Sequence, residues 1–503
     1  MPPKSKTFVN MISGGAGFLL PMLVNFLATP FLLKNLGDEA FGLQTFVNVI
    51  LGYLLVADMG MDVPIVKYLA EFTAKKNFLN RNKLLNNTLQ IYLLIGLVGM
   101  IIIIAAEPFM YSLFNIPDSL KTEARYVFWL AGFGFFWNII CVWGKAVFSG
   151  IQRLDIGNGI FIVVSLISTF SGLLLVYNGL GVVSFVFAKV FGFCLSAIIY
   201  IIVGRRIITD FRFSLGFDKW LLNIIKPLIG YGVLMRISGM IFGRLDQSFI
   251  GAWVGIAAVG LYSIPLMICS AITGLISGVM SYTLPKVSEL FSMNNRDDLK
   301  SLYIGSVKLA TLSGILMFSL LIGFGRQFIS LWISPEVASS TYVPLLILSV
   351  ASIIQLSVNS ITNNYLVAMD GMKFFAINSF IRGFITMVGF FFFIKSYGII
   401  GAALGVLVTS MYDILFLLIA LKKFIRVSAL DLVMRSILKP VIVGLLSAVV
   451  LYLLREWASN WTGLILSGLI YTVFFSLMVI LVKVFDEKEL NRFLNLFSRS
   501  KPI

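Results

Sequence analysis

Stretches of about 20 residues with few or no charges recur along the whole chain, the length that carries an α-helix across a hydrocarbon core of about 30 Å. The pattern predicts fourteen spans, at 9–33, 41–66, 85–106, 125–147, 157–177, 183–204, 226–250, 258–284, 304–325, 342–367, 374–394, 399–420, 437–454 and 462–484. The connections between them are short, and none has the 50 or so residues that a folded soluble domain needs. The expected fold is therefore an all-α integral membrane protein with about 14 transmembrane helices.

The chain also repeats itself. LGDEAFGL (36–43), after the first span, is matched by VGIAAVGL (254–261), after the seventh. Gly37 pairs with Gly255, Gly42 with Gly260 and Leu43 with Leu261, each 218 positions apart. GLGVVS (179–184) and YGIIGA (397–402) then place Gly181 and Gly398 at an offset of 217. A near-constant offset predicts two homologous six-helix lobes inserted the same way, an organisation found in alternating-access transporters. The predicted division is 1–205 for the N-terminal lobe, 206–420 for the C-terminal lobe, and 421–503 for helices 13 and 14 with a cytoplasmic tail. Within that tail DEKELNRFLNLFSRS (486–500) has apolar residues at helical spacing beside charges, the pattern of a helix lying on a membrane surface.

Composition removes several chemistries. Only 12% of the 503 residues are charged, about half the usual share for a soluble domain. There is no histidine, so His-based triads and His-ligated metals are absent. Cys141, Cys194 and Cys269 are scattered through apolar runs and fit neither a disulfide framework nor a zinc site. No phosphate-binding loop or nucleophile elbow is present, and the chain is not expected to be an enzyme or to use a cofactor. The net charge of +16 belongs to loops flanking spans, not to a nucleic-acid patch. AKKNFLNRNK (74–83), RRIITDFRFSLGFDKW (205–220) and LKKFIR (421–426) all fall on one side, which the positive-inside rule makes cytoplasmic. The opposite side holds mainly Lys34, Lys121, Arg125, Arg326, Lys395 and Arg455, and both termini are expected inside. MPPKSKTFVN (1–10) is basic and no small-residue cleavage site follows it, so it reads as a retained N-terminus.

PFLLKNLGDEAFGLQTFVNVILGYLLVADMGMDVPIVKYLAE (30–71) resembles the opening of polysaccharide flippases: a helix, an LGxxxFG turn, then a helix with Asp-Met-Gly near its inner end. FSGIQRLDIGN (148–158) is similar to that family's loop after span four, and GRLDQSFIGAWVGIAAVGLYS (243–263) to its span-seven signature. The resemblance covers about 1–420. It implies the polysaccharide transporter (Wzx-type) branch of the multidrug/oligosaccharidyl-lipid/polysaccharide exporter superfamily. Such a protein would move undecaprenyl-diphosphate-linked oligosaccharide repeat units from the cytoplasmic to the outer leaflet of a bacterial inner membrane. Its partners would be that lipid-linked glycan, membrane lipid and other polysaccharide-assembly membrane proteins. The glycan could serve O-antigen, capsule or exopolysaccharide.

A charge near the bilayer centre costs at least about 2.5–3.5 kcal/mol on insertion scales, so each one is a candidate site. Arg236 lies near mid-depth in span seven, where a guanidinium could hold a diphosphate by paired charge-assisted hydrogen bonds; the alternatives are that it pairs with an acid on a neighbouring helix or reaches the inner interface. Arg244 and Asp246, two residues apart, point about 200° apart on a helix and cannot pair with each other. They suit a gate or ordinary packing. Lys189 in span six, Lys67 beyond span two and Arg382 in span eleven complete the candidate cavity cations; Lys67 could instead snorkel to the interface, and Arg382 could be a topology charge. Lys145, at the inner end of span four, reads as a topology charge. Asp58, Asp246 and Asp413 are the coupling or gating acids. Asp58 or Asp413 could carry a coupled proton or sodium ion, or could neutralise Lys189 or Arg236. Pro21, Pro30, Pro64, Pro265, Gly232 and Gly239 could be hinges or packing sites. Cations outnumber acids within the spans, which suits an anionic cargo; the alternative is a multidrug-and-toxin-type cation-coupled exporter.

Overall fold

The computed structural model of the chain describes residues 4–54, 58, 60–214, 216, 218, 243–369 and 371–485. Every regular element among them is helical: α1 (Lys4–Leu54), α2 (Asp62–Ala74), α3 (Phe78–Leu113), α4 (Lys121–Gly150), α5 (Leu154–Tyr177), α6 (Gly181–Ile207), α7 (243–253), α8 (Ile256–Met280), α9 (Thr283–Ser292), α10 (Arg296–Trp332), α11 (Pro335–Gln355), α12 (Ile361–Ala368), α13 (Met372–Ala420), α14 (Ala429–Leu432), α15 (Leu438–Leu454) and α16 (Trp461–Leu481). Among the described residues, 11 helical segments are long and apolar enough to cross a membrane. Two of them join expected spans across a single glycine with non-helical backbone, Gly37 (φ 77, ψ 170) in α1 and Gly398 (φ 55, ψ −131) in α13. Only glycine occupies such backbone regions without steric cost. Most of expected span 226–250, with Arg236, lies outside the described residues, as does the surface helix expected at 486–500. Thirteen of the fourteen expected spans overlap these 11 segments, and the seventh lies mostly outside the described residues.

The repeat is written into the backbone. Lys76 and Asn294, 218 positions apart, both take φ 53. The next residues, Asn77 and Asn295, cap α3 and α10 by accepting from the amides of Asn80 at 3.1 Å and Asp298 at 3.2 Å. Gly37 and Gly255 both have positive φ. The second helix of each lobe breaks before its end, so that α2 and α9 stand as separate short helices.

Contacts divide the chain into two compact units, Met1–Ser263 and Ile264–Ile503. That division falls inside α8, whereas the repeat places the homologous boundary at 205/206. The difference arises because α7 and the start of α8 pack on α1 and the end of α3. In the second unit α15 and α16 pack on α10, where Gly323 faces Leu451 and Gly444 faces Ile315 so closely that a Cβ would meet them at 3.0 and 2.6 Å. Small residues let membrane helices approach in this way. The outward faces of α15 and α16 expose Leu445, Val449, Ile465, Leu469, Val473 and Ile480, a surface suited to lipid and not to water.

The polar start of α3 has a specific task. Asn82, Asn86 and Gln90, four residues apart, bind alternate residues of the extended segment after α6. Arg212 donates to Asn82 Oδ1 at 3.0 Å, and Asn86 bonds the Arg212 carbonyl at 2.8 Å and the Ser214 amide at 2.9 Å. Gln90 bonds the Ser214 carbonyl at 3.0 Å and the Gly216 amide at 3.2 Å. Four helical residues rise about 6 Å and two extended residues about 6.6 Å, so the two periods stay in step. Ion pairs of Arg81 with Asp210 and of Lys83 with Asp218 at 2.7 Å bracket the ladder. The double variant Asn86→Leu/Gln90→Leu removes five bonds to this segment, each contributing about 1 kcal/mol. Amide exchange across 210–218 is expected to quicken at least tenfold while α3 beyond residue 91 is unchanged. Hydrogen–deuterium exchange measures this, and unchanged exchange at 210–218 would show the ladder to be dispensable.

Candidate functional site

In the first unit the basic loop residues mark one end of the helices, here called the basic end. At the opposite end, α1 and α7–α8 form a tight seam. A Cβ on Gly42 would lie 2.1 Å from the Ile256 carbonyl oxygen, and one on Gly260 3.0 Å from Gly42 Cα. These are the repeat-related glycines, meeting backbone to backbone. Gly52 leaves room for Arg244, whose guanidinium donates to the Asn48 carbonyl at 2.9 Å. Tyr53 donates to the Arg244 carbonyl at 2.8 Å and lies 2.6 Å from Ser248 Oγ. Asn115 donates to the Ala252 carbonyl at 2.9 Å, and Phe114 packs on Phe46 with centroids 4.1 Å apart.

Asp246 is buried, accepts from the Gln247 amide at 2.8 Å and faces the Tyr262 hydroxyl. It does not form an ion pair with Arg244, as their spacing requires. Asp58 is fully buried in the break between α1 and α2, where Tyr92 donates to its carboxylate. Lys67 is exposed near the basic end, 5.2 Å from the centroid of Tyr68, consistent with a snorkelling side chain.

Lys189 differs from these. It is half-buried in α6, donates to Thr169 Oγ1 at 2.5 Å and Asn25 Oδ1 at 3.4 Å, and lies 5.4 Å from the Phe185 ring. Among the described residues no carboxylate lies within ion-pair distance of it. Hydroxyl and amide oxygens orient an ammonium without neutralising it, so its charge stays available to an anion. Lys145, read from sequence as a topology charge, is also half-buried, with Nζ 3.3 Å from the Phe161 centroid.

The second unit pairs one of its cations with an acid. Arg382 and Asp413, both on α13, form an ion pair at 3.0 Å with the Asp413 side chain fully buried. Asn359 donates to the other Asp413 oxygen at 3.4 Å from a π-helical turn, Leu356–Ser360, between α11 and α12. π-Helical turns occur frequently at functional sites. Gln355 to Ser410 at 3.1 Å and Thr386 with Thr409 at 2.9 Å extend this polar seam. The structure thus brings together Arg382 and Asp413, and separately Lys189 with Thr169 and Asn25. Arg236 lies outside the described residues. Sequence reasoning missed Tyr53, Tyr92, Asn359 and Asn25, uncharged residues whose only signal was a polar side chain inside an apolar run.

The family described as "Polysaccharide biosynthesis protein" matches residues 4–291. A relative in Bacillus subtilis (strain 168), named "Uncharacterized membrane protein EpsK", is 23% identical over 346 residues, covering 68% of each chain. Among solved structures, "Lipid II flippase MurJ, inward closed conformation" superposes with a TM-score of 0.72 at 16% identity, over 94% of this chain and 99% of that one. A "multidrug resistance MATE family transporter of the MOP superfamily" in an inward-facing conformation gives 0.67 at 13% identity, over 84% and 100%. At these identities the superpositions establish the shared transporter fold.

Proposed function

The chain belongs to the polysaccharide biosynthesis protein family, and from that premise we propose that it is a flippase, not an enzyme. Its cargo is an undecaprenyl-diphosphate-linked oligosaccharide, moved from the cytoplasmic to the outer leaflet by alternating access. The basic end faces the cytoplasm of a bacterial inner membrane, with both termini there. The diphosphate is carried by the intramembrane cations while the polyprenyl tail stays in lipid. The observation that carries this reading is Lys189, a half-buried ammonium with oxygen partners that leave its charge uncancelled.

In this reading the seam at Gly42 and Gly260 lies at the outer end, and release of cargo outward requires its bonds to part. Arg244 and Tyr53 latch that seam. The coupling ion, a proton or sodium, is assigned to Asp58 or Asp413. The remaining partners are membrane lipid and the membrane proteins that assemble the polysaccharide.

The test is complementation of a cell lacking its own repeat-unit flippase, with variants matched for membrane level. Wild type restores surface polysaccharide, and Lys189→Met lowers it at least tenfold. Efflux of cationic dyes by the wild-type protein, without restored polysaccharide, would favour the multidrug-type exporter.

A further inference from the structure

Lys145 does not sit as a topology charge should. It lies five residues before α4 ends at Gly150, about 7.5 Å from the basic end at 1.5 Å per residue. Side chains on a helix lean toward its N-terminus, and for α4 that direction leads away from the basic end and into the membrane. The ammonium ends 3.3 Å from the centroid of Phe161 on α5, and among the described residues it has no ion-pair partner. A snorkelling lysine would instead reach the interface.

Lys189 meets the same helix from α6, on a face about 80° round from that of Phe161. Its Nζ rests on Thr169, Lys145's on Phe161, and α5 runs from the basic end toward the opposite one. The two contact residues are eight positions apart, about 12 Å along α5. α5 is therefore flanked by two ammonium groups at successive depths, one from α4 and one from α6. Among the described residues neither is cancelled by a carboxylate. An aromatic face and a hydroxyl hold a cation in place yet leave it able to take a phosphate oxygen as a further partner.

Resting on the flippase reading, we propose that Lys145 and Lys189 are two stations of a diphosphate track along α5. Lys145 receives the anionic headgroup from the cytoplasmic side, and Lys189 takes it deeper. The 12 Å spacing is a step the headgroup makes between stations, with the polyprenyl chain sliding in lipid beside it.

The experiment measures binding of undecaprenyl diphosphate, and of uncharged undecaprenol as control, to the purified full chain in nanodiscs. Wild type is expected to prefer the diphosphate. Lys145→Met lowers its affinity for the diphosphate at least tenfold, Lys145→Arg restores it to within threefold, and undecaprenol binding is unchanged in both. Thermal unfolding without ligand checks the fold, and Lys145→Gln replaces Lys145→Met if that variant does not assemble. Wild-type diphosphate affinity in a folded Lys145→Met or Lys145→Gln protein, with Lys189→Met weakened, would overturn the two-station track and leave the flippase reading standing. A wild-type protein that does not distinguish the diphosphate from undecaprenol would overturn both.

Discussion

Gly42→Ala is expected to abolish surface polysaccharide in complementation while the protein still reaches the membrane. The added methyl would lie 2.1 Å from the Ile256 carbonyl oxygen and 3.2 Å from Ala257 Cα. Both are backbone atoms, so no side-chain rotation relieves the clash and the helices must move apart. Overpacking of this kind costs about 1–3 kcal/mol or more. The penalty falls on the conformation with the seam closed, so the variant should populate a form in which the seam is parted. In a background without native cysteines, a cysteine at Ser248, which lies against Tyr53, should react with a membrane-impermeant thiol reagent in Gly42→Ala far faster than in the parent. Unaltered reactivity would show that the crossing tolerates the methyl. Gly37→Ala is the informative contrast. That position has open space around it but φ 77 and ψ 170, so its cost of about 1–3 kcal/mol is backbone strain and the seam stays shut.

Removing one member of the Arg382–Asp413 pair should have the largest effect on stability. Asp413→Ala leaves a guanidinium whose side chain is only 18% exposed without its carboxylate, a change that typically costs about 3–5 kcal/mol for a buried pair. The protein is expected to be poorly retained in the membrane. Removing both charges, as Arg382→Met/Asp413→Leu, is expected to restore membrane level and thermal stability, because two buried charges are then exchanged for apolar packing. Transport by the double variant is expected to stay at least tenfold below wild type, since the pair adjoins the π-helical turn that presents Asn359. Full transport by a stable double variant would reduce the pair to a packing element.

Much of this arrangement is legible in the sequence because it depends on periodicity and on glycine. The paired runs at 36–43 and 254–261 locate the positive-φ turns at Gly37 and Gly255, and the offset of 218 anticipates matching caps at Asn77 and Asn295. Pro117 and Pro335 precede acidic residues at the same offset, each at the start of a helical segment. The spacing of Arg244 and Asp246 correctly excludes a pair. Hydropathy gives depth but not direction, so Lys145 looked like an interfacial charge although its side chain leans inward over Phe161. Arg382 and Asp413 are joined only because α13 reverses at Gly398; a linear reading has no term for which of several acids a cation meets. Asn82, Asn86 and Gln90 recur every four residues, but nothing local names their target, an extended backbone more than a hundred residues away. Contact between α1 and α7–α8 likewise moves the compact boundary to 263/264, a tertiary fact with no local signal.

The central claim is translocation of a lipid-linked diphosphate oligosaccharide. Its most direct test is reconstitution of the purified chain in proteoliposomes holding an undecaprenyl-diphosphate-linked oligosaccharide in both leaflets, with external lectin or glycosidase reporting what reaches the outer face. Wild type is expected to render the inner-leaflet pool accessible, and Lys189→Met to slow this at least tenfold. Accessibility no greater than in protein-free liposomes, across the glycans native to the cell and under imposed proton and sodium gradients, would contradict the account.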